Sequence, residues 1–144
     1  MPHTFHQLIA HVVFSTKDRR KLIPKDKQDR TWAYMAQICE SEGFLAHEIG
    51  GMDDHCHALI QVPANMTLAD AVKKLKAKSS RWLGANFEWQ RGYGAFSVSK
   101  SNVNRVIKYI REQETHHKKM TFEEEFIAFL KKHGIEYDLR YVFD

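Results

Sequence analysis

Apolar and polar positions alternate along residues 5–15, where Leu8, Ala10, Val12 and Phe14 interleave with Gln7, Ile9, His11 and Val13. A period of two ending in β-branched and aromatic residues predicts a strand. Trp32, Met35, Ala36 and Cys39 then recur at helical spacing, predicting a helix over 25–42 that follows Pro24 and closes at Gly43. Phe44–Ile49 predicts a second strand, Gly50–Asp54 a turn, and His55–Val62 a third strand ended by Pro63. Thr67-Leu68-Ala69-Asp70 has the pattern of a capping box and opens a helix running to about Leu83. Ala95–Ser99 predicts a fourth strand. Ser101 or Asn102 is expected to cap a third helix reaching about Lys118, and Thr121-Phe122-Glu123-Glu124 to open a short helix that stops at Gly134.

The order β-α-β-β-α-β followed by two helices predicts an α+β, ferredoxin-like (RRM-like) fold. Its four-stranded antiparallel sheet would carry helices on one face and leave the other free for another element or a ligand. No repeat, low-complexity run or linker interrupts the 144 residues, so a single domain over 1–144 is expected. The apolar runs are too short to cross a bilayer. Met1-Pro2-His3-Thr4 shows no export signal and only Cys39 and Cys56 occur, so a reducing cytoplasm is the expected location and no membrane the expected setting.

The net charge of +4 points weakly to a polyanionic partner. Its distribution says more. Lys17, Arg19, Arg20 and Lys21 form a basic turn after the first strand. On the second helix Lys73, Lys74, Lys76, Lys78 and Arg81 are almost uninterrupted by acid. Lys74, Lys78 and Arg81 share one helical face, while Val72, Leu75, Ser79 and Trp82 are expected to face the core. A charge run is commonly a solvated face; the alternative is a phosphate-binding surface.

Two motifs can carry chemistry. In Asp54-His55-Cys56-His57, residues two apart on a strand share a face, so His55 and His57 project together and Cys56 points away as a small hydrophobe. Paired imidazoles make half a site for a divalent metal, though a bare motif of this kind is more often two ordinary histidines on a half-exposed strand. An accessible Cys56 thiol would make such a site sensitive to oxidation. In Tyr109-Ile110-Arg111-Glu112-Gln113, the first and last residues share a helical face. Tyr109 can be a packing residue; beside the histidines, Gln113 can instead offer a carbonyl ligand one turn from a tyrosine nucleophile. His116 and His117 are further candidate ligands, ranked below Gln113.

In order along the chain, the segments His11–Lys17, Gly51–His57, Lys76–Trp82, Trp89–Val98 and Tyr109–Gln113, then His116-His117 and Glu123-Glu124-Glu125, resemble the HUH single-tyrosine transposases of small bacterial insertion sequences, which include the REP-associated tyrosine transposases. Cys56 departs from the aliphatic residue usual between the histidines. The resemblance implies that Tyr109 attacks a phosphodiester of single-stranded DNA, leaving a 5′-phosphotyrosine link and a free 3′-hydroxyl. It implies Mg2+ or Mn2+ on His55, His57 and Gln113, all neutral ligands that leave the ion's charge uncancelled. It also implies hairpins at element ends as substrates and a homodimer, with the tyrosine acting in cis or in trans. Lys17, Arg19, Arg20, Lys74, Lys78 and Arg81 would hold phosphates, and Trp82, Trp89 or Tyr93 would stack on bases unless, as expected for Trp82, they belong to the core.

Three other readings remain open. One is a non-catalytic nucleic-acid-binding module using the open sheet face, which would normally display aromatics there. Another is a host-adopted nuclease with the same cutting residues. The last is a metallohydrolase, which needs a carboxylate beside the histidines; Asp54 is expected to point to the opposite face.

Overall fold

Four strands form one antiparallel sheet in the order β2-β3-β1-β4, with β1 Leu8–Ser15, β2 Leu45–Gly51, β3 His55–Val62 and β4 Gly94–Ser97. The structure, a computed structural model, describes residues 2–144; Met1, the first residue of the stretch read for an export signal, lies outside the described residues. The helices are α1 Lys25–Ser41, α2 Leu68–Leu83, α3 Val103–Arg111, α4 Gln113–His116 and α5 Phe122–Lys132. This is the ferredoxin-like arrangement that the element order predicts.

The alternation in the central strands separates two cores. Ala10, Val12 and Phe14 of β1 and Cys56, Ala58 and Ile60 of β3 face α1 and α2, meeting Trp32, Met35, Ile38 and Cys39 from one and Ala71, Val72 and Leu75 from the other. Complete burial of such side chains stabilises by about 1.5–3 kcal/mol each. Cys56 is fully buried there, which pushes its thiol well above the usual range and removes the route to oxidation. Trp82 is not a core residue: it is 42% exposed and stacks on Tyr34 with ring centroids 4.5 Å apart. Trp89 takes the interior position instead, donating to Ser79 Oγ at 2.9 Å.

The second face is also covered. Ile9 and Leu59 pack on Val103 and Ile110 of α3, and Val13 and Phe96 pack on Phe122 and Leu130 of α5. Two glycines permit this approach. A Cβ on Gly50 would lie 2.8 Å from Ile110 Cγ2, and one on Gly94 would lie 2.7 Å from the Phe126 ring. α1 and α2 thus share one face, as expected, and α3 and α5 occupy the face that the element order leaves free for another element.

Helix ends follow the sequence signals unevenly. Thr121 and Glu124 form the full reciprocal capping box of α5. At α2 only half forms, with Thr67 Oγ1 accepting from Asp70 N. Neither Ser101 nor Asn102 caps α3 through its side chain: residues 100–102 form a 3-10 turn in which Ser101 bonds Ser99. The helix expected to reach Lys118 ends at Arg111. Glu112 leaves helical geometry at φ −97°, ψ 23°, and a short second helix starts at Gln113. Among the described residues no helix is long and apolar enough to cross a membrane.

Candidate metal and nucleophile site

The register of β1 and β3 sets out the site. His55 stands opposite Ser15 and His57 opposite Val13, so both imidazoles project from the sheet face away from α1 and α2, and both are fully buried. Each is held from behind. Asp54 Oδ1 meets His55 Nδ1 at 2.7 Å, and His11 Nε2 meets His57 Nδ1 at 2.8 Å. Asp54 thus turns toward the site instead of away from it, because it ends the turn before β3 rather than continuing the strand's alternation.

The other ring nitrogens face four side chains delivered by α3, α4, the residue after it, and α5. Gln113 Oε1 lies 2.9 Å from His55 Nε2 and 3.0 Å from His117 Nε2. Glu125 Oε1 lies 3.0 Å from His57 Nε2, 3.2 Å from His117 Nε2 and 3.5 Å from His55 Nε2. The Tyr109 hydroxyl and Gln113 Nε2 both donate to Glu125 Oε2, the latter at 3.2 Å. The His116 ring stacks on Tyr109 at 4.4 Å between centroids, and its buried Nε2 has no hydrogen-bond partner. Breaking the helix at Glu112 turns Gln113 into this nest while Tyr109 stays on the preceding turn.

The electrostatics follow from burial and from one carboxylate. Desolvation lowers His57 to about 4 despite its bond to Glu125. Desolvation also pulls His11 well below its ordinary value, with the His57 ring adding to it. Burial alone would raise Glu125, but hydrogen bonds from His117 and His57 outweigh it and hold the carboxyl well below the usual range. His117 moves up, its bond to Glu125 overcoming burial. Tyr109 is raised, first by burial and then by Glu125. A metal-free nest therefore keeps Tyr109 as a phenol.

The donor set suits a divalent cation. Donor atoms of His55, His57, His117 and Glu125 all lie within 4.8 Å of one another. If Asp54 accepts from His55 Nδ1, a neutral His55 presents a bare Nε2 to the Gln113 and Glu125 oxygens, acceptor against acceptor. A cation among them removes that conflict. Beside the neutral ligands expected from the sequence stands Glu125, an anionic donor that pattern reading did not assign. Its only sequence signals are the capping box that starts α5 and the acidic triplet Glu123–Glu125.

The basic residues are more dispersed. Lys17 and Arg20 sit at the surface of the turn after β1, Arg20 beside Asp18 at 3.4 Å. Arg19 is partly buried, donating to Phe143 O at 3.0 Å. Exposed Lys74, Lys78 and Arg81 lie on α2, across the sheet from the histidines, with Lys74 and Lys78 both paired to Glu42. Lys76 leaves the basic face: its Nζ donates to Gln90 O and Gly92 O, and burial lowers it to about 8. Tyr93 is 41% exposed, whereas buried Trp89 has no free face for a base.

A ferredoxin-like sheet carrying paired strand histidines beside a helical tyrosine and a buried carboxylate defines a class of protein with a cation-capable site on the sheet's second face. The chain belongs to the family described as "Transposase IS200 like", whose model matches residues 4–113. The transposase for insertion sequence element IS200 of Salmonella typhimurium is 28% identical over 124 residues, covering 78% of this chain and 81% of that protein. Two solved structures share the fold, each with a TM-score of 0.62. One is a crystal structure from Deinococcus radiodurans R1 assigned as a transposase, 21% identical, covering 78% of this chain and 95% of that one. The other is a REP-associated tyrosine transposase bound to a REP hairpin, 10% identical, covering 81% of this chain and 74% of that one.

Proposed function

We propose that this transposase cuts and rejoins single-stranded DNA with Tyr109 as nucleophile and Mg2+ or Mn2+ held by His55, His57 and Gln113. The observation that carries the reading is the convergence of Tyr109, Gln113 and both histidines of one chain on a single buried carboxylate, His55 at 3.5 Å. The bound ion would supply charge stabilisation at the phosphate and the departing oxygen. His55 and His57, fixed by Asp54 and His11, would hold it without rearrangement. The Tyr109 oxygen forms the bond to phosphorus as the bond from phosphorus to the 3′-oxygen breaks. The tyrosine loses its proton and the leaving oxygen gains one. The resulting 5′-phosphotyrosine keeps the phosphodiester energy, so a later 3′-hydroxyl can attack it and rejoin strands without a nucleotide cofactor.

The substrate is proposed to be a hairpin near an element end, since a solved structure of the same fold is a transposase bound to a hairpin. Lys17, Arg19, Arg20, Lys74, Lys78 and Arg81 are proposed to hold its backbone, with Tyr93 as a base-stacking surface. The chain would act as one domain, in the cytoplasm and within a homodimer. Placement of Tyr109 against the histidines of its own chain supports action in cis. The rival binding module loses support because α3 and α5 cover the sheet face it would use.

Single-stranded hairpin oligonucleotides from the gene's flanks, incubated with Mn2+ or with chelator, test this reading. Cleavage of the single strand but not of its duplex, abolished by chelation, is expected; tight metal-independent binding with no cleavage would replace it with the binding module.

A further inference from the structure

We infer that Glu125 joins the ion and the nucleophile through one carboxylate: Oε1 is a ligand of the divalent cation, and Oε2 positions the Tyr109 hydroxyl. The inference deepens the reading above and rests on it. Glu125 lies on α5, outside the 4–113 segment that the family model matches.

Spacing argues for the first half. Ligands about 2.1 Å from a common ion stand roughly 3.0–3.5 Å apart in octahedral or tetrahedral geometry. Glu125 Oε1 is 3.0, 3.2 and 3.5 Å from the Nε2 atoms of His57, His117 and His55. Only 1% of the residue is exposed, so this carboxylate has left water for a position among imidazoles. A buried anion is costly without a countercharge, and a divalent ion supplies one.

The second half comes from the other oxygen. Oε2 accepts from both Tyr109 and Gln113, so its direction is set by two donors on different helices. The fold then fixes the carboxylate itself. α5 is started by a complete capping box and anchored by Phe122 and Leu130 against Val13 and Phe96. Tyr109 is thereby held at a set distance from the cation whether or not DNA is present.

Calorimetric titration of the full chain with Mn2+ tests the ligand role, using the parent, Glu125→Ala, Glu125→Gln and His57→Ala, each checked by thermal melting. Glu125→Ala is expected to weaken Mn2+ by tenfold or more, with a smaller loss in Glu125→Gln. The positioning role is read from the Tyr109 resonance in chain labelled with [13Cζ]tyrosine. Mg2+ should shift it in the parent and leave it unmoved in Glu125→Ala. Parent-like Mn2+ affinity in both Glu125 variants, with His57→Ala impaired, would overturn this inference alone. Parent-like affinity in His57→Ala would overturn the histidine site, and this inference with it. Should neither Glu125 variant fold, a parent Tyr109 signal indifferent to Mg2+ would overturn it.

Discussion

His11 Nε2 and His57 Nδ1 meet at 2.8 Å beneath the sheet's second face, so the imidazole that points at Glu125 is steered by a third histidine on the neighbouring strand. When His57 binds an ion through Nε2 its proton must sit on Nδ1, and His11 accepts it. Replacing His11 with Phe keeps the ring's bulk and removes that acceptor. Mn2+ affinity should fall roughly 10- to 100-fold, as for other residues that support a metal ligand. Titration calorimetry measures it, and an unchanged affinity would show that His57 needs no such support.

Gly50 stands opposite His57 and lets Ile110 approach to a distance at which a Cβ would clash. Gly50→Ala should push α3 outward, costing about 1–3 kcal/mol of stability, the usual range for overpacking. Because Ile110 adjoins Tyr109, covalent DNA adduct formation should also slow at concentrations where the variant is folded. Urea denaturation and single-turnover kinetics separate the two effects.

The metal-free protein should lose stability on acidification from pH 6.5 to about 4. His57 is held near 4 when folded but titrates near 6.5 when unfolded, so the unfolded chain binds more protons across that window and stability rises with pH. The single site contributes on the order of 3 kcal/mol, and His11, also lowered, adds in the same direction. His117 is raised, so its contribution is present below 6.5 and is lost only at higher pH. Glu125 is lowered, and its contribution is lost only below about 4.5. Urea midpoints in chelator at pH 7 and pH 5 measure the slope; equal midpoints would contradict the buried, neutral His57.

Much of this was legible before the fold was known. His55 and His57 share a face because a strand repeats every two residues, but their burial was not legible: β3 is buried on both faces because α3 and α5 cover the side expected to be open. Tyr109 and Gln113 could be paired by helical spacing, yet the break at Glu112 depends on tertiary fit and no local signal marks it. Glu125 was out of reach for a similar reason. Its three-residue acidic context resembles any N-terminal helical turn, and only the docking of Phe122 and Leu130 on β1 and β4 brings it under the histidines. The basic helix shows the reverse case. Its charge spacing was plain, but the pairing of Lys74 and Lys78 with Glu42 on the residue after α1 joins positions far apart in sequence.

That pairing leads to a salt-dependence prediction. If Lys17 and Arg20 contact phosphates, replacing each with Ala should reduce the slope of log affinity against log salt for single-stranded DNA by about 0.7. Lys78→Ala should reduce it by less, since Glu42 already occupies that ammonium. Equal reductions at all three would place α2 fully in the DNA path.

The most direct test is whether the chain becomes covalently attached to DNA at Tyr109. Parent and Tyr109→Phe are incubated with single-stranded flank hairpins and Mn2+, and the adduct is digested and mapped by mass spectrometry. A metal-dependent adduct carried on the Tyr109 peptide, absent from Tyr109→Phe, is the predicted result. An adduct on another residue, or cleavage by Tyr109→Phe at the parent's rate, would contradict the assignment of Tyr109 as nucleophile.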